Sequence, residues 1–297
     1  MRMKQNLDAE RSVALTKTCG NHTHIDEKVL IETLRAMCKA VRKQGKTPLV
    51  LADLDGTVVD CREYTWRNFE KFMDHYDGEH AEAIRAAAEK EGRFDAWNNC
   101  EYLRCFGFND QKLHDYAWER YTKTFFDPHF RLTMKPIPGS TNLMKMLQEE
   151  EGAKLGFLTL RAEVEDRIEK SKPAGTDNST SVGLMKTFGL WKEDKAFILR
   201  HEGKPIDWSP KGYADGPAPE PEKWRMAQEY EATNPDTKIV AVLENDPRHV
   251  IGHRENFGSD VMLIHVQGDV PPHSPEIPAG VYTVNPFRFG IVFRNEK

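Results

Sequence analysis

The sequence predicts an α/β protein, a parallel sheet with helices on both faces and a small all-helical domain set into it. Three observations predict this. Short apolar runs recur between stretches of helical periodicity, as buried parallel strands do. Two of these runs end in acidic clusters, Asp53/Asp55 and Glu244/Asn245/Asp246. The stretch 61–127 is rich in aromatic residues and has helical spacing but no strand pattern.

The chain has 297 residues, a formal net charge of -5, 30% charged and 39% hydrophobic residues. This suits one sizeable core plus a smaller domain. There is no bulk basic signal for nucleic acid, and no apolar run approaches the roughly 20 residues of a membrane span. The polar start lacks the apolar segment of a secretory signal. Five cysteines without a dense framework read as reduced thiols, so a cytoplasmic location is expected.

Residues 1–25 read as an irregular lead-in. Cys19, His22 and His24 lie close in sequence, but no second cluster completes a metal site. Asp26 to Gln44 reads as an amphipathic helix bearing Leu30, Leu34, Met37, Cys38 and Val41, with Asp26 as N-cap and Gly45 at its end. The Q-G-K-T that follows is not a phosphate loop: Ala40 stands where the pattern needs glycine, and the stretch precedes its strand.

Leu49 to Ala52 is the first buried strand, followed by Asp53, Asp55, Gly56 and Thr57. A D-G turn can simply close a strand. If the strand continues past Asp53, however, both carboxylates share a face and point into the crevice at its C-terminal end, where open α/β sheets bind ligands. Like charges held so close call for a shared proton or a bound cation.

Helices are predicted over Trp66 to Tyr76, Ala81 to Glu91, Trp97 to Phe106 and Leu113 to Phe126. Their aromatic residues suit a helical core, and a module inserted after the strand would cover its end as a lid. Pro136, Pro138 and Gly139 then make a turn, Ser140 can N-cap, and Leu143, Met144 and Leu147 form a helix face. Lys154 to Thr159 is a second strand, ending on Thr159 and followed by Leu160 and Arg161. A helix starting at Ala162 and reaching Lys170 would add free N–H groups beside the Thr159 hydroxyl, although Thr is also common in an ordinary turn.

Lys195 to Arg200 is a third strand. The excursion 201–221 carries Pro205, Pro210, Pro217, Pro219 and Pro221. Pro221, Glu222 and Lys223 open a helix running to about Ala232, Lys238 to Leu243 forms a fourth strand ending in Glu244-Asn245-Asp246, and Val261 to Val266 forms a fifth. The tail from Pro271 reads as surface packing.

The order strand-D-x-D-G-T, helical insert, strand-T-x-R, helix-start lysine, strand-E-N-D resembles the four motifs of the haloacid dehalogenase-like (HAD) hydrolases. M-K-P-I-P-G-S also looks like the turn these proteins carry before the second motif. The resemblance covers roughly 46–60 and 134–266. It implies a three-layer Rossmann-like core over 26–60 and 128–297, with a helical cap over 61–127.

It further implies an Mg²⁺-dependent phosphatase acting on a small soluble phosphate ester. Asp53 would be the nucleophile and Asp55 the acid and base. Thr159 and Lys223 would bind the phosphoryl group, with Arg161 either adding a phosphate contact or pairing with Asp246. Lys204 and Lys211 are weaker candidates for the lysine. The metal ligands would be Asp53, Asp55 through its main-chain carbonyl, and Glu244, with Asp246 or Asn245 holding metal-bound waters. One carboxylate pair at roughly 4 Å and effective ε of about 20 repels by about 4 kcal/mol, so metal dependence follows.

The family usually offers aspartate where Glu244 stands. Dehalogenases of this superfamily lack the second carboxylate, so Asp55 argues for phosphoryl chemistry. Phosphonate hydrolysis would need a Schiff-base lysine, and nothing singles out Lys71, Lys90, Lys112 or Lys123. The alternative function is a regulatory module that keeps the phosphate site without turnover. Neither the natural substrate nor the oligomeric state is predicted.

Overall fold

The computed structural model describes residues 18–19, 22–24, 27–92, 96, 98–173, 175–201, 223–267 and 274–284. Strands β1 (Thr18–Cys19) and β2 (His22–His24) precede helix α1 (Glu27–Arg42). Then come β3 (Thr47–Asp53) and β4 (Val59–Asp60), followed by helices α2 (Arg62–His75), α3 (Ala81–Glu91), α4 (Asn99–Cys105), α5 (Gln111–Phe125) and α6 (Pro128–Arg131). The chain continues through β5 (Lys135–Pro136), α7 (Pro138–Glu149), β6 (Lys154–Ala162), α8 (Glu163–Asp166), α9 (Thr180–Thr187) and β7 (Ala196–His201). It ends in α10 (Lys223–Thr233), β8 (Thr237–Glu244), α11 (Pro247–Asn256), β9 (Met262–Val266) and β10 (Tyr282–Val284).

The sheet order is β1-β2-β10-β9-β8-β3-β6-β7. Its pairings are parallel except for β1 with β2. From β3 the chain steps outward to β6 and β7, then returns to lay β8 on the other side of β3. Strand order reverses there, and the C-terminal ends splay into a crevice.

Alternation along β3 sets the layers. Val50 and Ala52 face one way, into a core with Leu30 and Leu34 of α1, Leu143 and Leu147 of α7, and Leu184 of α9. Leu49 and Leu51 face the other way, against Ala227 of α10 and Val250 of α11. Burial of each large side chain stabilises by roughly 1.5–3 kcal/mol. The result is a three-layer, Rossmann-like α/β fold.

Helices α2 to α5 close around their own apolar cluster, including Phe69, Phe72, Ile84, Tyr102, Leu113 and Trp118. A two-stranded antiparallel ribbon, Val59 opposite Pro136 and Asp60 opposite Lys135, leads into and out of this helical stretch.

Several expectations change. The lead-in contributes β1 and β2 to the sheet, and the tail returns as β10 beside β9, because parallel pairing satisfies backbone that a surface path would leave to water. Ser140 does not N-cap: α7 starts at Pro138 with Ile137 before it. The helix expected over 162–170 is only the four residues of α8, since β6 continues to Ala162. Asp26, Trp97, Lys204, Lys211 and the five prolines of 205–221 lie outside the described residues. No helix among the described residues is long and apolar enough to cross a membrane, and no disulfide joins Cys38, Cys61, Cys100 and Cys105.

Candidate active site

Asp53 is the last residue of β3. The strand does not run on, so the two carboxylates do not converge by strand alternation as expected. A tight turn brings them together instead. The N–H groups of Val58 and Val59 both donate to Leu54 O at 3.0 and 2.8 Å, and Gly56 N–H donates to Val59 O at 2.9 Å. Gly56 has φ of +82°, and a Cβ there would sit 2.3 Å from Asn245 Nδ2. The position thus needs glycine for its conformation and for the close approach of Asn245. Thr57, fully buried, donates to Asn245 Oδ1 at 3.3 Å and joins this turn to the end of β8.

The three neighbouring strands β8, β3 and β6 bring the remaining residues to the same end of the sheet. Asp53, Asp55, Thr159, Arg161, Lys223, Glu244, Asn245 and Asp246 line one cavity. Lys223, at the start of α10, bridges two acids, with Nζ 2.5 Å from Asp53 Oδ1 and 2.8 Å from Glu244 Oε2. Glu244 Oε1 accepts the N–H groups of Asn245 and Asp246 at 3.0 and 2.9 Å. The Thr159 hydroxyl oxygen accepts Arg161 N–H at 3.2 Å.

Arg161 does not pair with Asp246. It pairs with Asp55, its Nε and Nη2 donating to Oδ2 at 3.1 and 2.8 Å. Asp246 is taken by Arg248, with Nη2 at 2.6 Å from Oδ2, and also caps α11.

Behind this pair lies a network that sequence reasoning missed. Arg131 Nη2 is 3.7 Å from Asp55 Oδ1 and its Nη1 is 3.9 Å from Asp166 Oδ1. Asp166, wholly buried, accepts from Ser179, Thr180 and Ser181 and pairs with Arg200 at 2.6 Å. No motif flags Arg131 or Asp166. The one available signal was R-x-x-x-x-D after the second strand, which has no meaning without the fold.

The electrostatics divide the carboxylates into two kinds. Burial pushes the Asp53 and Glu244 acids above the ordinary carboxylate range, and Lys223 only partly offsets this. Burial would also raise Asp55, but Arg161 and then Arg131 outweigh it and hold that acid below its usual range. Asp53 and Glu244 thus carry two potential negative charges against the single Lys223 ammonium.

That imbalance bears on a metal. Asp53 and Glu244 offer hard oxygen donors, and full ionisation of both beside Lys223 calls for a further cation, which fits Mg²⁺. The Asp55 and Asp246 side chains are engaged by arginines. No group of three or more His, Cys, Asp and Glu among the described residues is arranged as a metal site.

No protein-family model and no curated protein matches the sequence. The structure is similar to a haloacid dehalogenase-like hydrolase from Streptococcus pneumoniae, at 13% identity over 84% of this chain and 99% of that one, with a TM-score of 0.45. It is also similar to a provisionally assigned phosphatase from Clostridium difficile, at 14% identity over 83% and 98% with a TM-score of 0.47. A third similar structure is CbbY from Rhodobacter sphaeroides in complex with phosphate, at 14% identity over 82% and 96% with a TM-score of 0.40.

Proposed function

We propose that this protein is an Mg²⁺-dependent phosphohydrolase that cleaves a small phosphate monoester through an aspartyl-phosphate. The observation that carries this reading is the convergence of Asp53, Asp55, Thr159, Lys223 and Glu244, from four separate stretches of chain, on one cavity. A nucleophile, a second carboxylate, a hydroxyl donor and an ammonium are the parts that phosphoryl transfer through a carboxylate requires.

In this reading an Asp53 oxygen attacks phosphorus as the ester P–O bond breaks, and Asp55, protonated once the incoming phosphoryl group draws Arg161 from it, gives that proton to the departing alkoxide. Asp55 then takes a proton from the water that hydrolyses the acyl phosphate. Thr159 and Lys223 hold phosphoryl oxygens, and Arg161 shares its guanidinium between Asp55 and the phosphoryl group. Mg²⁺, held by Asp53, Glu244 and the Asp55 main chain, with Asp246 or Asn245 holding its waters, would supply charge neutralisation for the incoming phosphate.

The test is hydrolysis of an aryl phosphate with Mg²⁺ and with EDTA, alongside Asp53→Asn. Turnover that needs Mg²⁺ and falls at least about 10³-fold in the variant is expected, as for loss of other catalytic groups. Equal rates for parent and variant would remove Asp53 from its role. Absence of turnover, with a thermal shift on adding beryllium fluoride, would favour the phosphate-binding module.

A further inference from the structure

One wall of the cavity is built by the helical stretch, and it is uncharged. Its lining residues there are Cys61, Trp118, Tyr121, Thr122, Phe125 and Phe126. Among the described residues that stretch contributes no charged side chain to the lining. Four of the six are aromatic. They are also continuous with one another: Tyr121 stacks on Phe125 at 5.3 Å between centroids, and Phe125 meets Phe126 edge-on at 5.3 Å.

This wall begins directly beside the acids. The Arg161 guanidinium that holds Asp55 lies 4.1 Å from the Phe125 ring centroid and 5.4 Å from that of Phe126. One guanidinium therefore spans from carboxylate to ring. Cys61 Sγ is 3.8 Å from Asp55 Oδ1. A group attached to a phosphoryl seated in this cavity, with its ester oxygen at Asp55, faces this aromatic wall. A sugar or polyol there would lose water from its hydroxyls against a wall whose ring faces far exceed the Tyr121 and Thr122 hydroxyls in area. A flat apolar ring would stack and bury its faces.

We propose that the leaving group this site selects carries an uncharged aromatic ring close to the phosphate ester oxygen. The selection rests on the phosphohydrolase reading for its chemistry, but the ring subsite itself is tested without turnover. Phe126, half-buried at the end of α5, is the selecting residue most open to substitution.

The experiment compares binding of benzylphosphonate and methylphosphonate to the full chain with Mg²⁺ by calorimetry, and repeats it with Phe126→Ala and Phe126→Leu. The phosphonate head is common to both, so the ratio of affinities isolates the ring. Benzylphosphonate should bind at least about tenfold tighter. Both variants, checked for folding by thermal denaturation, should reduce that ratio at least threefold. Equal affinities, no binding of either, or a ratio unchanged in a folded variant would overturn the proposal. Hydrolysis of benzyl phosphate and glycerol 3-phosphate is measured in parallel. Ring-selective binding without hydrolysis of either ester would remove the phosphohydrolase reading and keep the subsite. Hydrolysis of both esters with equal phosphonate affinities would do the reverse.

Discussion

Lys223 places its ammonium 2.5 Å from Asp53 Oδ1, joining residues 170 positions apart in the chain. Both side chains are almost wholly buried, and Glu244 shares the same ammonium. Lys223→Met therefore leaves two carboxylates buried without their cation. The expected cost is about 3–5 kcal/mol, as for other buried pairs broken on one side, read as a lowered urea midpoint at pH 7.5. Mg²⁺ should recover more stability in this variant than in the parent, because it binds only the folded state. Lys211→Ala, by contrast, should retain most activity. A Lys223→Met protein as stable as the parent would contradict the charge balance drawn here.

Arg161→Gln removes the guanidinium that holds Asp55 below the usual carboxylate range. Asp55 then keeps its proton to a higher pH, so the basic limb of kcat/KM, set by loss of that proton, should move upward. In the parent, the pair contributes stability above the ordinary Asp value of about 3.9, and this is lost as pH falls through the lowered folded value. Parent and variant stabilities should accordingly converge at low pH. A basic limb left in place would mean that another group sets it.

His253 is 1% exposed and stacks on Phe257 at 5.5 Å. Burial, then Lys223, lowers its pKa from 6.5 to about 3. The folded state therefore holds it neutral. Its contribution is intact above pH 6.5 and is lost as pH falls toward 3, at up to about 1.4 kcal/mol per pH unit. His253→Leu should flatten the fall in melting temperature between pH 6.5 and 4.5. An unchanged acid profile would assign that fall to other groups.

Gly56→Ala combines a left-handed backbone with a Cβ inside contact distance of Asn245. Strain of roughly 1–3 kcal/mol is expected, with loss of activity exceeding the loss of stability because the turn carries Asp55. Chemical denaturation beside steady-state rates separates the two. Unaltered kinetics would show that the turn has slack.

Local chemistry was legible in the sequence. Apolar runs of strand length became β3, β6, β7, β8 and β9 within a few residues, and helical spacing located α2 to α5. The residues singled out as D-x-D, T-x-R, helix-start lysine and E-N-D meet at one cavity, because each lies at a strand end or helix start that the topology gathers.

Sequence alone thus determined the composition of the layers and the residue types at the strand ends, since burial periodicity and turn chemistry act over a few residues. Tertiary structure decided the partners. Arg161 pairs with Asp55, 106 residues away, while Asp246 is taken by Arg248 two residues on. Arg131 and Asp166 acquire meaning only behind Asp55. The short strands β1, β2 and β10 have little apolar pattern of their own and are specified by the edge they extend. The physical reason is range: a periodicity is written along the chain, but the choice among several buried arginines and acids depends on distances and desolvation that exist only once the sheet has assembled.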